Sequence, residues 1–350
     1  MTKRCHVTGA NGFVGSAIVR ALLARGYEVV ACVGTQLSLE NLEGLDVEVR
    51  ELDLLDGENV RRVLRDGEQL IHTAANYSFW LPDPREMYSV NALGTRNALS
   101  AALDLGYRKV VHTSTGGTLT PAFAFEGKRV DEESLIDLRV FAGDYKTSKV
   151  MAEIAALRLA ARGLPLCTIH PSTVLGPRDR RPTPTGEMIV HYINGRMKAF
   201  VEMGHNIVHV DDVALGHVLA LERGRLGGRY ILGGDYLTMR QVVDELADIT
   251  GIAAPRIAIP HGLLRVVGRV NAWIATRITR RPPLFPYEAA LHARDNLPYD
   301  SGHAIEELGW SPRPARAVLE SAVEWFVSNG YASARMRRRI EAHAVARRDA

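Results

Sequence analysis

The chain has 350 residues, 46% of them apolar, which is enough for one sizeable core and a smaller second lobe. Its formal net charge of +3 comes from the stretch 335–350, where six arginines accompany two acidic residues, so the rest of the chain is almost neutral. Such a basic tail could contact nucleic acid or an anionic membrane, but no aromatic residues are interleaved among these arginines, so the pattern favours a solvated helical terminus and no nucleic-acid partner is expected.

The sequence predicts neither a membrane-spanning segment nor disulfide bonds. No leader of signal-peptide length precedes the first predicted strand, and no apolar stretch reaches membrane-spanning length. Cys5, Cys32 and Cys167 are far apart in apolar runs and form no C-x-x-C pair, so we expect buried, reduced thiols. The sequence therefore predicts a cytoplasmic protein without a transmembrane segment.

Short β-branched runs alternate with helical patterns over the first 170 residues. Strands are predicted over residues 4–8, 27–33, 47–52, 69–73, 109–114 and 166–170, and helices over residues 12–24, 57–65, 84–105 and 143–161. This alternation predicts an α/β fold with a Rossmann-type, doubly wound parallel sheet that binds its ligands at the carboxyl ends of the strands.

The pattern changes after residue 171. Pro and Gly crowd residues 177–186, helices are predicted over 187–196, 238–250 and 301–308, a strand over 229–232, and a less regular region extends to about residue 324. We expect an NAD(P)-binding domain over 1–175, a smaller mixed substrate lobe over 176–331 that is interwoven with it, and a basic tail over 332–350.

A glycine-rich turn follows the first strand and opens the first helix. Gly9 and Gly12 let the backbone turn sharply toward a pyrophosphate, while Gly15 allows the helix to pack closely on the sheet. The residues predicted to hold the dinucleotide here are Gly9, Asn11, Gly12, Phe13, Val14 and Gly15.

Two positions bear on the adenosine half of the dinucleotide. The second strand ends in Val33, Gly34, Thr35 and Gln36, which offer neither an acid for a ribose nor an arginine for a 2′-phosphate, so NAD and NADP both remain open. Asp53, after the third strand, is placed to meet the adenine edge, although a carboxylate in a loop before a helix is an adequate alternative.

Tyr145 and Lys149 are four residues apart and therefore lie on one helix face, one turn apart. A neighbouring ammonium favours the phenolate of a tyrosine whose ordinary pKa is about 10. Tyr145 could then exchange a proton with a substrate hydroxyl while hydride moves to or from the cofactor. The alternative is a surface tyrosine stacked on a lysine stem.

The glycine-rich turn, the Y-x-x-x-K motif and the hydroxyl-rich run of Thr113, Ser114 and Thr115 together resemble the extended short-chain dehydrogenase/reductase family, also described as the NAD-dependent epimerase/dehydratase family. The resemblance implies that Thr115 hydrogen-bonds the reacting carbonyl oxygen, Tyr145 is the acid–base, and Lys149 orients the nicotinamide ribose. It also implies further cofactor-binding residues, which are Leu54, Ala74, Ala75, Thr113, Pro171 and Thr173. The run of residues 91–95 matches a family run that lines the same cleft.

Within the family, the sequence is most similar to hopanoid-associated sugar epimerases and their dihydroflavonol-reductase-like relatives, over about residues 3–331. The similarity is carried by residues 76–84, 182–186, 194–197, 209–213, 230–234 and 307–310. This likeness implies a homodimer formed through the 143–161 helix and its neighbour.

Three departures from the family pattern bear on substrate and cofactor. Residues 204–208 lack the arginine with which sugar-nucleotide epimerases grip a diphosphate, and Gly116 and Gly117 stand where dehydratases carry acids. Gly34 replaces the arginine that this subgroup usually carries after the second strand, which weakens an inherited preference for NADP. We therefore expect a small-molecule substrate that is mostly apolar and not a nucleotide.

Other candidates favour structural roles. The spacings of His191, His205, His209 and His217 match no zinc motif, so no metal is expected, and Asp211 and Asp212 are interpreted as caps of the following helix. Arg178, Arg180 and Arg181 could meet an anionic group of a substrate, although a solvated loop is the favoured interpretation.

The sequence thus predicts an enzyme that moves hydride between NAD(P) and a secondary alcohol or carbonyl, either as a reductase or as an epimerase. Substrate is expected near Phe79, Trp80, Thr115 and Tyr145, between the carboxyl edge of the sheet and the later lobe. The alternative is a catalytically silent regulator that senses a dinucleotide.

Overall fold

A computed structural model of the chain describes residues 3–35, 38–119, 129–134, 143–260 and 297–348, together with residues 268, 271, 273 and 279. In these ranges the strands are β1 (Arg4–Thr8), β2 (Glu28–Val33), β3 (Glu48–Glu51), β4 (Gln69–His72), β5 (Lys109–Thr113), β6 (Leu166–Pro171), β7 (Thr173–Leu175), β8 (Ala199–Val201), β9 (Gly204–His209), β10 (Arg229–Leu232), β11 (Asp235–Thr238) and β12 (Ile257–Ile259). The helices are α1 (Phe13–Leu23), α2 (Gly57–Val63), α3 (Arg85–Tyr88), α4 (Thr95–Asp104), α5 (Asp144–Ala161), α6 (Pro184–Ile193), α7 (Val210–Arg223), α8 (Met239–Thr250), α9 (Gly302–Leu308), α10 (Ala315–Ser328) and α11 (Ala334–Arg348).

Seven parallel strands form the main sheet, in the order β10-β6-β5-β4-β1-β2-β3. The order reverses between β1 and β4, which is where a doubly wound sheet opens a crevice for ligands. The predicted Rossmann-type parallel sheet is therefore confirmed. Strand β10 comes from the stretch predicted to belong to the second lobe, so the lobe and the first domain are interwoven through the sheet itself.

Both faces of the main sheet are covered by helices because side chains alternate along each buried strand. Ile71 and Val111 point toward α1 and α7, while Leu70 and Val110 point toward α2, α4 and α5. Each face is thus an apolar layer, and polar groups gather at the carboxyl ends of the strands.

The smaller lobe has its own sheet and core. Strands β11, β9 and β7 form a mixed three-stranded sheet, and β12 pairs with β8 in parallel. Helices α6, α8 and α10 pack together around the buried Tyr192 and Phe326. Helix α8 begins with a capping box of Thr238 and Gln241 and ends at Gly251, whose φ of 68° favours glycine.

The later part of the chain is more regular than expected. Residues 315–328, predicted as less regular, form α10, which follows Pro314 and buries Val318, Leu319 and Phe326 at helical spacing.

Two other helices differ from their predicted form. Residues 89–94 form a π-helical segment inside the helix predicted over 84–105. Helix α6 begins at Pro184 rather than at residue 187, because Thr183 caps it by accepting from the Gly186 amide.

The basic tail forms helix α11 and is docked on α8. Ile340 is buried, Arg339 donates to the Gly251 carbonyl oxygen at 2.7 Å, and a ring nitrogen of His343 lies 2.8 Å from the Asp248 carbonyl oxygen. The tail is therefore helical, as expected, and it is anchored to the rest of the chain. None of the helices within the described residues is long and apolar enough to cross a membrane.

Candidate active site

The glycine-rich turn connects β1 to α1 and leaves no room for a side chain at Gly9 or Gly15. Gly9 has a φ of 68°, and a Cβ there would lie 2.8 Å from the Cα of Ala74. A Cβ on Gly15 would lie 2.0 Å from the Gly9 carbonyl oxygen. Helix α1 has no side-chain cap and no acid in its first turn, which leaves its amino end available to an anion.

Asn11, Phe13 and Val14 complete this turn. Asn11 is buried, and its side-chain amide donates to the Ser38 carbonyl oxygen at 3.1 Å. Its own carbonyl oxygen accepts from the Asn41 amide at 3.3 Å. The turn is thereby tied to the segment after β2; Gln36 of the four positions considered for cofactor preference lies outside the described residues.

The segment after β4 forms the opposite side of the crevice. The Thr8 hydroxyl oxygen accepts from the amides of Thr73 and Ala74 at 3.2 and 3.3 Å and pairs with His72 Nδ1 at 2.8 Å. Burial, with a smaller contribution from the Lys149 charge, lowers the pKa of His72 to about 3. A neutral His72 thus holds Ala74, and with it Ala75, beside Gly9.

Asp53 and Leu54 lie at the carboxyl end of β3. The Asp53 carboxylate is exposed and accepts from the Leu55 amide at 2.9 Å, while the Asp53 amide donates to Asn59 at 2.9 Å. Leu54 is buried against Gly94. The structure therefore gives Asp53 a local turn-forming role, and its contact with adenine stays a prediction.

Helix α5 carries Tyr145 and Lys149 as predicted, one turn apart. The Tyr145 ring is half-buried, 4.8 Å from the Tyr77 ring and 6.4 Å from the Phe79 ring between centroids. Lys149 is 3% exposed, and its ammonium donates to the Thr113 carbonyl oxygen at 2.8 Å. Burial lowers the pKa of Lys149 to about 8, against the opposing effect of the Glu153 carboxylate.

Thr115 lies two residues beyond the end of β5, on the same edge of the sheet. Its hydroxyl oxygen accepts from the Gly117 amide at 3.3 Å and begins the 3₁₀ turn Gly116–Thr118. A Cβ on Gly116 would lie 2.4 Å from the Tyr299 ring, so that ring occupies the space that an acidic side chain would need. Thr113 is different, because its hydroxyl pairs with His217 on α7 at 2.9 Å and its carbonyl oxygen, not its side chain, faces α5.

Pro171 and Thr173 mark the passage from one sheet to the other. Pro171 is the last residue of β6 in the main sheet, and Thr173 pairs with Ile207 in the three-stranded sheet. The Ser172 amide donates to the Leu232 carbonyl oxygen at 3.2 Å, and its hydroxyl donates to the Asn206 carbonyl oxygen. The predicted cofactor residues therefore sit at the junction of domain and lobe.

Some residues of this region were not predicted individually as site residues. Asn91, fully buried in the π-helical segment, donates to the Asn76 carbonyl oxygen at 3.0 Å and to the Ser148 hydroxyl at 2.9 Å, and accepts from the Asn76 amide at 2.7 Å. It fixes the start of the loop that carries Tyr77 and Phe79. Asn91 was available from its place in the family-like run 91–95, whereas its partners were not.

Glu153 was also missed. It is buried one turn beyond Lys149, and its carboxylate accepts from Ser114 at 2.7 Å and from Arg229 at 3.0 Å, and pairs with His170 at 3.1 Å. The sequence feature that could have pointed to Glu153 is its spacing from Tyr145 and Lys149. The three residues follow one another at intervals of four, which places them on one helix face.

The remaining candidates have structural roles. Arg178 pairs with Asp211 and Arg180 with Glu40 at 3.2 Å, so these two arginines are not a freely solvated loop. The cap of α7 was predicted wrongly: His209 Nδ1 accepts from the Asp211 amide at 3.0 Å and is the N-cap. No group of potential metal ligands is found among the described residues.

Asp212 instead ties α7 to the chain after α9. Its carboxylate accepts from the backbone amide and the guanidinium of Arg313, and its carbonyl oxygen accepts from the Trp310 indole at 2.8 Å. A buried acid near the helix start had other partners available, which is why the capping prediction failed.

The chain is similar to known proteins in its family pattern, its sequence and its structure. A family model described as the NAD dependent epimerase/dehydratase family matches residues 5–233. The chain is 36% identical over 332 residues to a Synechocystis sp. protein provisionally named dihydroflavonol 4-reductase, covering 93% of this chain and 95% of that one. It is 35% identical over 327 residues to sterol demethylase protein B of Methylococcus capsulatus, covering 93% and 98% respectively.

Among solved structures, the UDP-glucose 4-epimerase of Thermus thermophilus in complex with NAD superposes with a TM-score of 0.74 at 26% sequence identity. The match covers 92% of this chain and 98% of that one. These similarities extend over both the main sheet and the smaller lobe.

Proposed function

Because the chain belongs to the NAD-dependent epimerase/dehydratase family, and is thus an enzyme of the extended short-chain dehydrogenase/reductase type, we propose that it interconverts a secondary alcohol and a carbonyl group with Tyr145 as the acid–base. The observation that carries the proposal is the buried Lys149 ammonium one helical turn from Tyr145, at the edge of the sheet where Thr115 also lies.

The residues around the glycine-rich turn fit NAD or NADP. The backbone approaches Ala74 so closely at Gly9 that a side chain would fill the space, and the first turn of α1 presents amides without an acid. When bound, the nicotinamide ring supplies or accepts the hydride. Gly9, Gly12, Gly15 and Asn11 would line the pyrophosphate, and Lys149 would face the nicotinamide ribose.

Tyr145 moves the proton in the proposed reaction. The positive charge of Lys149 favours the phenolate of Tyr145, so the phenol can give a proton to a carbonyl oxygen or take one from a hydroxyl. The Thr115 hydroxyl already accepts from the Gly117 amide, which leaves its hydrogen to donate to the same substrate oxygen. Two donors on one oxygen stabilise the charge that develops there.

Aromatic side chains around Tyr145 support a mostly apolar substrate. The Tyr77 ring lies tilted against the Tyr145 ring, and Phe79 packs edge to ring against both tyrosines. The Ser78 hydroxyl donates to the Trp80 carbonyl oxygen at 2.7 Å, which shapes this wall. Strand β9 brings His205 and Asn206 where an arginine would grip a nucleotide diphosphate. We therefore favour a non-nucleotide carbonyl compound.

These features favour a reductase over the two other activities within the family. Tyr299 fills the space beside Gly116, which argues against the acidic residues of a dehydratase. The lack of an arginine in β9 argues against an epimerase of nucleotide sugars. A silent dinucleotide-sensing regulator is set aside, since the relatives are enzymes and both Tyr145 and Lys149 are present.

The test is a screen of ketones, aldehydes and sugars with NADH and NADPH, followed by nicotinamide absorbance, for the wild type, Tyr145→Phe and Tyr77→Phe. We expect Tyr145→Phe to lose at least about 100-fold in kcat with dinucleotide affinity retained, because general acid–base groups contribute this much. Tyr77→Phe is the matched control and should stay active. Equal activity of wild type and Tyr145→Phe would refute the proposed role.

A homodimer is the second part of the proposal. Met151, Ile154 and Leu157 project from α5 with exposed fractions of 47%, 36% and 46%, and Leu93 on the neighbouring helix is 37% exposed. Their spacing along α5 makes one apolar stripe. A stripe of this kind supports pairing with the same stripe of a second copy across a two-fold axis.

A further inference from the structure

We propose that Glu153 is a positioning residue that holds the Thr115 turn and the Lys149 ammonium together as one catalytic unit. The proposal rests on the function proposed above for Thr115, Tyr145 and Lys149. It adds a residue that touches neither substrate nor dinucleotide and acts through its neighbours.

Glu153 reaches the sheet from the same helix face as the two catalytic residues. It is 2% exposed, and both carboxylate oxygens are bonded. One oxygen accepts from the Ser114 hydroxyl at 2.7 Å; the other pairs with His170 Nε2 at 3.1 Å and accepts from Arg229 at 3.0 Å. These partners come from the end of β5, from β6 and from β10, so one carboxylate ties α5 to three adjacent segments of the sheet.

The link to Thr115 runs through its immediate neighbours. Ser114 directly precedes Thr115, and its hydroxyl also lies 3.2 Å from the Thr118 hydroxyl. Thr118 in turn donates to the Thr115 carbonyl oxygen at 2.8 Å and closes the turn. The carboxylate of Glu153 therefore fixes the start of the turn through the Ser114 hydroxyl, and the Thr118 hydroxyl that closes the turn lies against that same hydroxyl.

The link to Lys149 is one of charge. Lys149 is buried, so desolvation disfavours its ammonium, and the Glu153 carboxylate opposes that effect from one helical turn away. The carboxylate itself stays ionised: burial would raise its pKa, but His170 and the hydroxyl donors outweigh burial and hold the pKa well below its usual range. The buried pair thus keeps opposite charges beside the catalytic phenol.

The other titratable groups packed against this pair do not supply the same charge. His112 on β5 and His72 on β4 are fully buried and stacked at 5.7 Å, and burial holds both their pKa values far below neutrality, so both are uncharged. Arg229 on β10 adds a positive charge. Glu132 lies beyond Arg229, which donates to its carbonyl oxygen at 2.6 Å, and its carboxylate faces His303.

The decisive measurement is the titration of Lys149 itself, without substrate or turnover. The chain has six lysines, so ¹³C-labelled lysine side chains can be resolved by NMR and Lys149 assigned with Lys149→Met. We expect the Lys149 midpoint, about 8 in the wild type, to fall by about one pH unit in Glu153→Gln, because an opposing charge is lost. Glu153→Asp keeps the charge and should largely restore the midpoint.

Two further variants separate positioning from mere stability. Glu132→Gln removes a buried acid of the same region that does not act on Lys149, so it should leave the midpoint unchanged while lowering the melting temperature. Ser114→Ala keeps the charge but frees the turn, so it should lower kcat about tenfold with KM and the Lys149 midpoint unchanged.

The outcomes are distinguishable from failure of the proposed function. A Lys149 midpoint that is the same in wild type and Glu153→Gln overturns the inference, whatever the enzyme turns over. If Glu153→Gln does not fold, the test uses Glu153→Asp and Ser114→Ala instead. The inference is overturned if both of these variants have the same kcat as the wild type. A shifted midpoint with an active Tyr145→Phe variant would instead refute the proposed reaction and leave the Glu153–Lys149 coupling standing.

Discussion

The Lys149 ammonium lies 2.8 Å from the carbonyl oxygen of Thr113, two residues before Thr115. This bond joins the helix that carries the proposed acid–base to the end of the strand that leads to the proposed carbonyl-binding hydroxyl. It also commits one of the three ammonium hydrogens to the protein itself, and the proposed function assigns the others to the ribose and the phenol.

The burial of Lys149 predicts a pH limit on activity. Its pKa is lowered to about 8, so the ammonium is present below that pH and is lost as pH rises through it. We expect kcat for carbonyl reduction to fall above about pH 8 in the wild type. In Lys149→Arg, whose guanidinium stays charged, kcat should be lower and should lack the fall that loss of the ammonium causes at about pH 8. An alkaline limb at the same pH in both proteins would contradict this role.

The close approach at Gly15 predicts loss of dinucleotide binding on substitution. In Gly15→Ala the new methyl group would meet the Gly9 carbonyl oxygen at 2.0 Å, so the turn must shift away from the pyrophosphate position. We expect affinity for NAD and NADP to fall at least about tenfold, a loss of about 1.4 kcal/mol, by calorimetry. Gly57→Ala is the matched control, because nothing lies within 4 Å of a Cβ there. Equal losses in both variants would count against the turn.

Buried neutral histidines predict acid lability. Burial lowers the pKa of His205 and His217 to about 4 and of His72 to about 3, below the ordinary value of 6.5. Their stabilising effect is present above pH 6.5 and is lost as pH falls toward the lowered values, by up to about 1.4 kcal/mol per pH unit for each histidine. We expect the free energy of unfolding in urea to drop steeply between pH 6.5 and 5.

A variant identifies the histidine contribution. His205→Gln cannot titrate, so its stability should fall less steeply over the same interval than that of the wild type, even if it is less stable at pH 7.5. Parallel pH profiles for the two proteins would show that His205 does not contribute.

The exposed stripe on α5 predicts the state of association. Ile154→Glu and Leu157→Glu introduce charges into the proposed two-fold interface, and we expect them to convert a dimer into monomers in sedimentation velocity experiments. Leu226→Glu, at a surface position that is 67% exposed in the loop before β10, should leave the dimer intact. A wild type that sediments as a monomer would exclude the dimer.

Local patterns in the sequence were sufficient to predict the parallel sheet and the places of the motif residues. The glycine spacing and the Y-x-x-x-K spacing each lie within one short run of chain, so Gly9 and Gly15 lie in the turn between β1 and α1 and Tyr145 and Lys149 lie one turn apart on α5, as expected, while their roles stay predictions. Alternating apolar runs likewise predicted the strands of the main sheet.

Contacts between distant segments could not be read in this way. The proposed role of Glu153 depends on its contacts with β5, β6 and β10, and these strands are brought together only by the order of strands in the sheet. Strand β10 itself was predicted at the correct residues but within the later lobe, because nothing in Arg229–Leu232 says which strand it will pair with. The contact between Asp212 and Arg313 likewise joins residues that are distant in the sequence, which explains why the cap of α7 was predicted wrongly.

The passage at Ser172 has a mechanical consequence. A single residue separates the last position of β6 from the first of β7, and it is bonded to the main sheet at Leu232 and to the smaller sheet at Asn206. A swing of one sheet against the other about this residue would break at least one of these bonds, so Ser172 couples the two sheets mechanically. The spacing between the sheets at this crossing is therefore held by the same residue that joins them.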